Sequence, residues 1–192
     1  MSPELKALKL YLANLVTMDD KTFDLCLDFT QTKQIKKGDY LVRAGNVCNE
    51  IAFINEGIFR IYYLKDGVEV NTCFCKENTI VSSLQSFTNK SISNDYIQAL
   101  EDSTITTISN SSLAKLYKKD QSWQSIGRLF IEKECLRLSD RVNMLSFETA
   151  LEKYNQLIST QPDIIQRVPI QYIATYIGVS RETLSRIRSK IT

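Results

Sequence analysis

Hydrophobic and polar positions follow two different patterns along this chain, and the change falls near Ser111. Before it, short runs rich in β-branched and aromatic residues are separated by glycine-containing turns. The clearest of these runs are 51–54, 58–64 and 68–75. The pairs Glu56-Gly57 and Asp66-Gly67 are typical of hairpins, because glycine tolerates the positive φ that a tight reversal requires. Strand-sized runs with turns every ~8–12 residues predict an antiparallel β sandwich or roll.

Two more β-rich stretches, 96–100 and 104–108, are expected to complete that sheet structure. Leucines with helical spacing precede the first strand, and they predict short helices between residues 4 and 28. These leucines are Leu5, Leu8, Leu12 and Leu15. An apolar helix face needs a partner to cover it, so these helices are expected to pack against the sheet.

Residues 121–147 predict one long helix. Five of its residues recur at alternating intervals of four and three, the spacing of a coiled-coil seam over about two heptads. They are Ile131, Cys135, Leu138, Val142 and Leu145. The same stripe could instead pack against the chain's own β domain, as Ile126 and Phe130 are expected to do on another face. Periodicity alone favours neither reading. A further helix over 147–159 is expected to end at a break over 161–163.

The most specific motif is a helix-turn-helix within residues 170–187. Ala174 supplies the small residue needed where two helices cross, and Gly178 supplies the left-handed turn residue four positions later. Ser180 is placed to cap the second helix. Pro169 suits the first turn of the leading helix. The apolar anchors of the second helix are Leu184 and Ile187. An αα-hairpin with no role in DNA binding is the alternative.

The outward face of the second helix is predicted to read DNA. Arg181 and Arg186 can each donate two hydrogen bonds to guanine, and Glu182 can accept one from cytosine. These three lie towards the helix N-terminus, the end that enters the major groove. The residues expected to contact the DNA backbone are Ser180, Ser185, Arg188 and Lys190.

Composition and charge narrow the function classes. The chain of 192 residues contains no histidine, which excludes His-dependent acid–base catalysis and His-ligated zinc or haem. Net charge is only +2, yet residues 167–192 carry five basic residues against one acid, which suggests a polyanionic partner at this end.

Neither a signal peptide nor a membrane-length apolar run is found, so the five cysteines are expected to be reduced thiols in the cytoplasm. Cys73 and Cys75 are interpreted as small hydrophobes on one side of a strand.

The order of these features resembles the cyclic AMP receptor / fumarate-nitrate regulator (Crp/Fnr) superfamily of bacterial transcription factors. Residues 178–187 are very similar to that family's recognition helix, and residues 34–75 carry further matches. These matches are Lys37-Gly38-Asp39, Phe53-Ile54, Gly57 and Arg60. The resemblance implies an α+β fold: an N-terminal antiparallel β-roll of the cyclic-nucleotide-binding, jelly-roll type, a long dimerisation helix and a C-terminal helix-turn-helix domain. It also implies a homodimer joined through residues 131–145.

Two departures from the family pattern change what is expected. Members that bind cyclic nucleotides carry a Gly-Glu-Leu turn and, about ten positions later, an arginine for the cyclic phosphate. Residues 78–96 contain neither a glycine nor an arginine, so we expect the sensor domain not to bind cyclic AMP. The sequence stops at Thr192, so we also expect no β wing after the recognition helix.

The sequence thus predicts a homodimeric, cytoplasmic, DNA-binding transcriptional regulator that is not an enzyme. Its predicted domains are a sensor roll with N-terminal helices over 1–110, a linker and dimerisation helix over 111–148, and a helix-turn-helix domain over 149–192. Expected partners are an inverted-repeat operator in double-stranded DNA, a second copy of the chain and, as a further candidate, RNA polymerase. The effector is unidentified, and no cofactor, metal or membrane contact is expected. The alternative is a ligand-binding or protein-interaction module with a non-functional helix-turn-helix.

Overall fold

The computed structural model describes residues 1–190, so the last two residues of the predicted 149–192 domain lie outside the described part. Within it, β-strands form two four-stranded antiparallel sheets, one in the order β1-β8-β3-β6 and the other in the order β2-β7-β4-β5. The strands are β1 Thr30–Ile35, β2 Tyr40–Val42, β3 Glu50–Glu56, β4 Phe59–Lys65, β5 Val68–Cys75, β6 Ile80–Val81, β7 Tyr96–Ala99 and β8 Ser103–Ser109. The predicted β-roll is confirmed.

The core of the roll forms where apolar side chains of the two sheets meet. Ile54 and Ile105 from one sheet pack with Phe59 and Ile97 from the other, and all four are fully buried. The hairpin between β4 and β5 turns at Asp66 and Gly67, both with positive φ (52° and 80°), as an Asp-Gly hairpin requires. The hairpin predicted at Asp66-Gly67 is therefore confirmed. The hairpin predicted at Glu56-Gly57 is wrong, because β3 and β4 lie in different sheets and the chain crosses between the sheets at that turn.

Helices precede the roll in the chain, interrupt it once between β6 and β7, and follow it after β8. They are α1 Pro3–Ala13, α2 Asp20–Asp24, α3 Leu84–Asn89, α4 Asn110–Lys119, α5 Gln121–Phe147, α6 Ala150–Thr160, α7 Pro162–Arg167, α8 Ile170–Ile177 and α9 Arg181–Arg188, with a 3-10 turn at Leu27–Phe29. Leu8 and Leu12 of α1 pack with Phe53 of β3, as expected for the N-terminal helices. None of the described helices is both long enough and apolar enough to cross a bilayer.

Helix α5 has the predicted bounds, and its first turns are fixed against the rest of the chain. The Asp120 carboxylate accepts a hydrogen bond from the Ser122 backbone N–H and caps the helix. Ile126 and Phe130 are buried, as expected. A Cβ on Gly127 would lie 2.3 Å from the Tyr117 hydroxyl, so a larger residue there would have to displace the Tyr117 side chain of α4.

The helices after α5 differ from the sequence prediction in detail. The helix expected over 147–159 begins instead at Ala150, because Thr149 and Glu152 form a reciprocal capping box. The expected break over 161–163 coincides with the start of α7, which the sequence analysis missed. Pro162 occupies the first turn of that helix, where a missing N–H costs nothing. Pro169 lies just before α8 rather than within its first turn.

Candidate functional site

Helices α8 and α9 form a compact pair around a sharp turn. Ala174 is buried where the helices meet, and Gly178 ends α8 in the left-handed conformation with φ 83°. The Val179 backbone N–H donates to the Ala174 carbonyl oxygen at 2.9 Å, which closes the end of α8. The chain can therefore turn between the two helices without strain, since glycine has no Cβ to clash.

Helix α9 is held in place by its cap and by its apolar side. The Ser180 hydroxyl accepts a hydrogen bond from the Thr183 backbone N–H at 3.2 Å. Leu184 is fully buried and Ile187 is partly buried in a cluster that includes Ile173 and Ile177 of α8. The anchored side of α9 fixes which of its residues face outward.

The outward side of α9 carries every residue predicted to contact DNA. Arg181, Glu182 and Arg186 are exposed, as are the residues predicted to contact the backbone, Ser180, Ser185, Arg188 and Lys190. Hydrogen bonds at the helix start, from the backbone and from Ser180, hold the pKa of Glu182 below its ordinary value. Glu182 is therefore an ionised acceptor at neutral pH. Arg186 donates only a long hydrogen bond, 3.3 Å, to the Thr183 hydroxyl.

The predicted dimer stripe lies along the second half of α5. Its members, Ile131, Cys135, Leu138, Val142 and Leu145, are all exposed in the single chain. The single chain leaves these five residues largely exposed, although Leu138 and Leu145 also line the edge of a cavity, whereas Ile126 and Phe130 in the first half of the helix are buried. An apolar stripe of this kind is typical of a helix that pairs with another helix.

A cavity of about 600 Å³ lies between β5, the segment around α3, and α5. Within residues 78–96, Ser82, Ser83 and Asp95 line this cavity. Ser83 donates to the Asp95 carboxylate at 3.2 Å, and burial raises the pKa of Asp95 above its ordinary value. This wall of the cavity presents hydroxyls and an acid to an anionic ligand.

Basic groups reach the cavity from the opposite wall, which the sequence analysis missed. Lys133, Arg137 and Arg141 lie four residues apart on α5, so they share one helix face. Arg137 donates to Glu134 at 2.8 Å, and Arg141 donates to the Tyr176 carbonyl oxygen at 2.5 Å. The four-residue spacing was visible in the sequence, but nothing there indicated which wall of a cavity this face would form.

Contacts between the roll and the C-terminal helices were also missed. The Arg167 guanidinium donates to both Glu77, at 2.6 Å, and Glu101, at 2.5 Å. Its proximity lowers the pKa of Glu77 to about 2. The Asn71 side-chain amide of β5 donates to the Thr175 hydroxyl of α8 at 2.8 Å. The helix-turn-helix is therefore bound directly to the sensor roll by polar contacts.

Apolar contacts join the same two parts of the chain. Ile58 and Phe74 of the roll are buried in the same cluster as Ile173 and Leu184 of the helix-turn-helix. The Phe74 ring also contacts the Tyr176 ring of α8, with centroids 5.2 Å apart. A shift of Phe74 in β5 would therefore disturb the packing of α8.

Comparison with known proteins agrees with this architecture. Residues 32–120 match the sequence model of the cyclic nucleotide-binding domain family. A solved structure described as a Crp/Fnr-family transcriptional regulator from Eubacterium rectale superposes over 93% of this chain and 87% of its own, with a TM-score of 0.71 and 15% identity. The chain has the Crp/Fnr fold. The resemblance found in the sequence is thereby confirmed.

Two further structures share the Crp/Fnr fold with this chain. The c-di-GMP-responsive global regulator CLP from Xanthomonas campestris is 18% identical, with 90% of this chain and 91% of that one covered and a TM-score of 0.71. FixK2 from Bradyrhizobium japonicum is 17% identical, with 84% of each chain covered and a TM-score of 0.66. No curated protein matches the chain significantly by sequence. These comparisons establish the fold of the chain.

Proposed function

We propose that this protein is a homodimeric, DNA-binding transcriptional regulator of the Crp/Fnr type, and not an enzyme. The observation that carries the proposal is the orientation of α9. Leu184 anchors one side of the helix, while Arg181, Glu182 and Arg186 are exposed together on the other. Crp/Fnr regulators among the solved structures that share the fold support the same function.

The chemistry of this face matches the major groove of DNA. Arginine pairs bidentately with guanine O6 and N7, and an ionised glutamate accepts from cytosine N4. We assign base reading to Arg181, Glu182 and Arg186. Contact with phosphates is assigned to Ser180, Ser185, Arg188 and Lys190. The three base-reading residue types stand at the offsets of the Crp/Fnr recognition helix that residues 178–187 resemble. The resemblance implies half-sites that begin T-G-T-G-A, and we expect related half-sites here.

We assign the dimer contact to the exposed stripe of α5. Two copies joined there by a two-fold axis would present two α9 helices, and we expect an inverted-repeat operator with half-site centres about 34 Å apart. In this proposal residues 1–110 are the sensor, 111–148 join and pair the protomers, and 149–192 bind DNA. RNA polymerase is a candidate partner of the bound dimer.

Binding to duplexes over a range of salt concentrations tests the proposed function. We expect tight binding to a duplex with the inverted repeat, weaker binding to a scrambled duplex, and affinity for both that falls as salt rises. Filter binding or fluorescence anisotropy measures this. A purified, folded protein that binds neither duplex at low salt would contradict the proposal and favour a ligand-binding or protein-interaction module.

We further propose that the sensor does not respond to cyclic AMP. Residues 78–96 offer no arginine to the phosphate, and Asp95 lines the cavity there. Of the basic groups on the opposite wall, Arg137 and Arg141 already donate to Glu134 and to the Tyr176 carbonyl, and the Lys133 ammonium lies over the Tyr11 ring. We expect cyclic AMP to bind with a Kd of about 1 mM or weaker, worth roughly 4 kcal/mol. Micromolar affinity in calorimetry would show that the cavity accepts the nucleotide.

A further inference from the structure

Two thiols lie side by side in the cavity wall. Cys73 and Cys75 are alternate residues of β5, so their side chains point to the same face. Their Sγ atoms are 3.5 Å apart, and both residues line the cavity between β5 and α5. Cys75 is buried, whereas Cys73 is partly exposed. A small reagent that enters the cavity therefore meets Cys73 first, with a second thiol in contact behind it.

The surroundings of the pair distinguish the two sulfurs. A hydrogen bond from the Cys75 thiol lowers the pKa of Cys73, and the positive charges of Arg137 and Arg141 lower it further. Desolvation and the Glu134 carboxylate act in the opposite direction without cancelling this effect. The same hydrogen bond, together with burial, raises the pKa of Cys75. Cys73 is thus the more readily deprotonated sulfur of the pair, and hence its nucleophile.

The other cysteines of the described chain lack this arrangement. Burial raises the pKa of Cys26 to about 12, which keeps it a thiol. The Cys48 thiol is buried and hydrogen-bonds to the Glu50 carbonyl and the Ser82 hydroxyl. Cys135 is exposed on the proposed dimer stripe of α5. Only at β5 does the described structure bring two thiols into contact beside two arginines.

We propose that Cys73 and Cys75 form an oxidation site that reacts with hydroperoxides to give a reversible disulfide within β5. The Cys73 thiolate attacks the terminal oxygen of the hydroperoxide; the S–O bond forms, the O–O bond breaks, and the alcohol (or water) leaves with a proton. The Cys75 sulfur then attacks the Cys73 sulfenic acid; the S–S bond forms, the S–O bond breaks, and water leaves with the Cys75 proton. The two thiols lose two electrons, and the hydroperoxide is reduced.

Strand geometry makes this disulfide reducible. Alternate residues of a strand are separated by about 6.7 Å at their Cα atoms. That distance is at the upper end of the range that a disulfide spans, about 4.4–6.8 Å, so the closed bond would be strained. Strained disulfides have more oxidising potentials and are the labile, regulatory ones. We therefore expect a cellular or added thiol reductant to reopen the bond.

Oxidation at this place would be transmitted to α8. Phe74 lies between the two cysteines in sequence, and its ring packs against Tyr176. Arg141, whose charge acts on Cys73, also donates to the Tyr176 carbonyl oxygen. Forming the disulfide removes the thiolate charge and distorts β5 around Phe74. Any effect on DNA binding rests on the proposed function, but the oxidation itself does not.

The test is a peptide map of the unmodified protein after limited oxidation. Trypsin places the thiol pair in one peptide, 66–76, and separates it from Cys26 in 22–33, Cys48 in 44–60 and Cys135 in 134–137. Reduced protein is treated with a small excess of hydrogen peroxide, and its remaining thiols are alkylated. The masses of the tryptic peptides are then measured by mass spectrometry. We expect peptide 66–76 to lose two hydrogens first and to regain them with dithiothreitol. If it stays fully alkylated while the Cys135 peptide is oxidised, the proposal is wrong.

Variants separate the roles of the two thiols and of the arginine beside them. Cys75→Ser should stop at a Cys73 sulfenic acid that dimedone traps, whereas Cys73→Ser should leave Cys75 unreactive. Arg137→Gln should slow the oxidation several-fold, and Arg128→Gln should not. Arg128 is the matched control because it lies nine residues, about 13.5 Å, from Arg137 along the same helix. It pairs with Glu132 at 2.6 Å. Equal oxidation rates for these two arginine variants would overturn the assignment of Cys73 as an activated thiolate.

Discussion

Leu138→Asp is expected to convert the proposed homodimer to a monomer. Leu138 lies in the middle of the exposed α5 stripe and is 50% exposed in the single chain, so an aspartate there costs the folded monomer little. In the dimer, two copies of that aspartate would be buried close to the two-fold axis. A buried charge without a partner costs about 3–5 kcal/mol. The dissociation constant should therefore rise by at least about a hundredfold.

Light scattering coupled to size exclusion measures this change, and the same helix offers a matched control. Leu136 is 69% exposed but lies outside the stripe of four- and three-residue intervals. Leu136→Asp should stay dimeric, which separates loss of the seam from a general effect of adding charge to α5. Circular dichroism confirms that both variants are folded. A folded Leu138→Asp protein that remains a dimer would place the interface elsewhere.

Elements specified by neighbouring residues could be predicted from the sequence. The hairpin at Asp66 and Gly67 forms because the two residues adopt the backbone conformation that the turn requires. Helix α5 begins after an aspartate cap and continues through residues of good helix propensity to Phe147. The turn between α8 and α9 likewise depends on Gly178 and the Ser180 cap. Each of these signals lies within a few residues of the structure it specifies.

Features formed by distant residues could not be predicted in the same way. Arg167 meets Glu77 and Glu101 only after the C-terminal helices fold back onto the roll. No local pattern in the sequence specifies these ion pairs, because charged residues at these positions could equally be exposed to solvent or pair with other residues. The alternation of Cys73 and Cys75 was correctly placed on one side of a strand. The charges of Arg137 and Arg141, which help to lower the pKa of Cys73, come from a different element of the fold.

The candidate DNA interface falls between these two cases. Which residues of α9 face outward follows from the motif itself, since Leu184 and Ile187 must be covered by α8. The residues that line the cavity could not be identified in the same way, because the cavity forms between α5 and β5, which are far apart in the sequence. The proposed DNA-contacting residues could therefore be predicted from the sequence more completely than the residues that line the cavity.

Arg186→Ala is expected to remove guanine preference at one position of each half-site while leaving the rest of the selected motif in place. In the proposed complex the exposed Arg186 guanidinium gives up its long contact with Thr183 and donates two hydrogen bonds to a guanine. Such a pair is worth about 1–3 kcal/mol of discrimination against other bases. Since each protomer of the proposed dimer contacts one half-site, the preference for guanine should be lost at the matching position of both half-sites.

Selection from randomised duplexes, with wild type and variant in parallel, measures this loss directly. Arg188→Ala is the control on the same helix: as a proposed phosphate contact, it should weaken all sequences about equally and reduce the salt dependence of binding, with the motif unchanged. Arg186→Ala should lower the information content at a single position in each half-site. If the Arg186→Ala protein enriches the wild-type motif with the same stringency, Arg186 does not read a base. The assignment of base reading would then have to move to other residues of the exposed face of α9, beginning with Arg181.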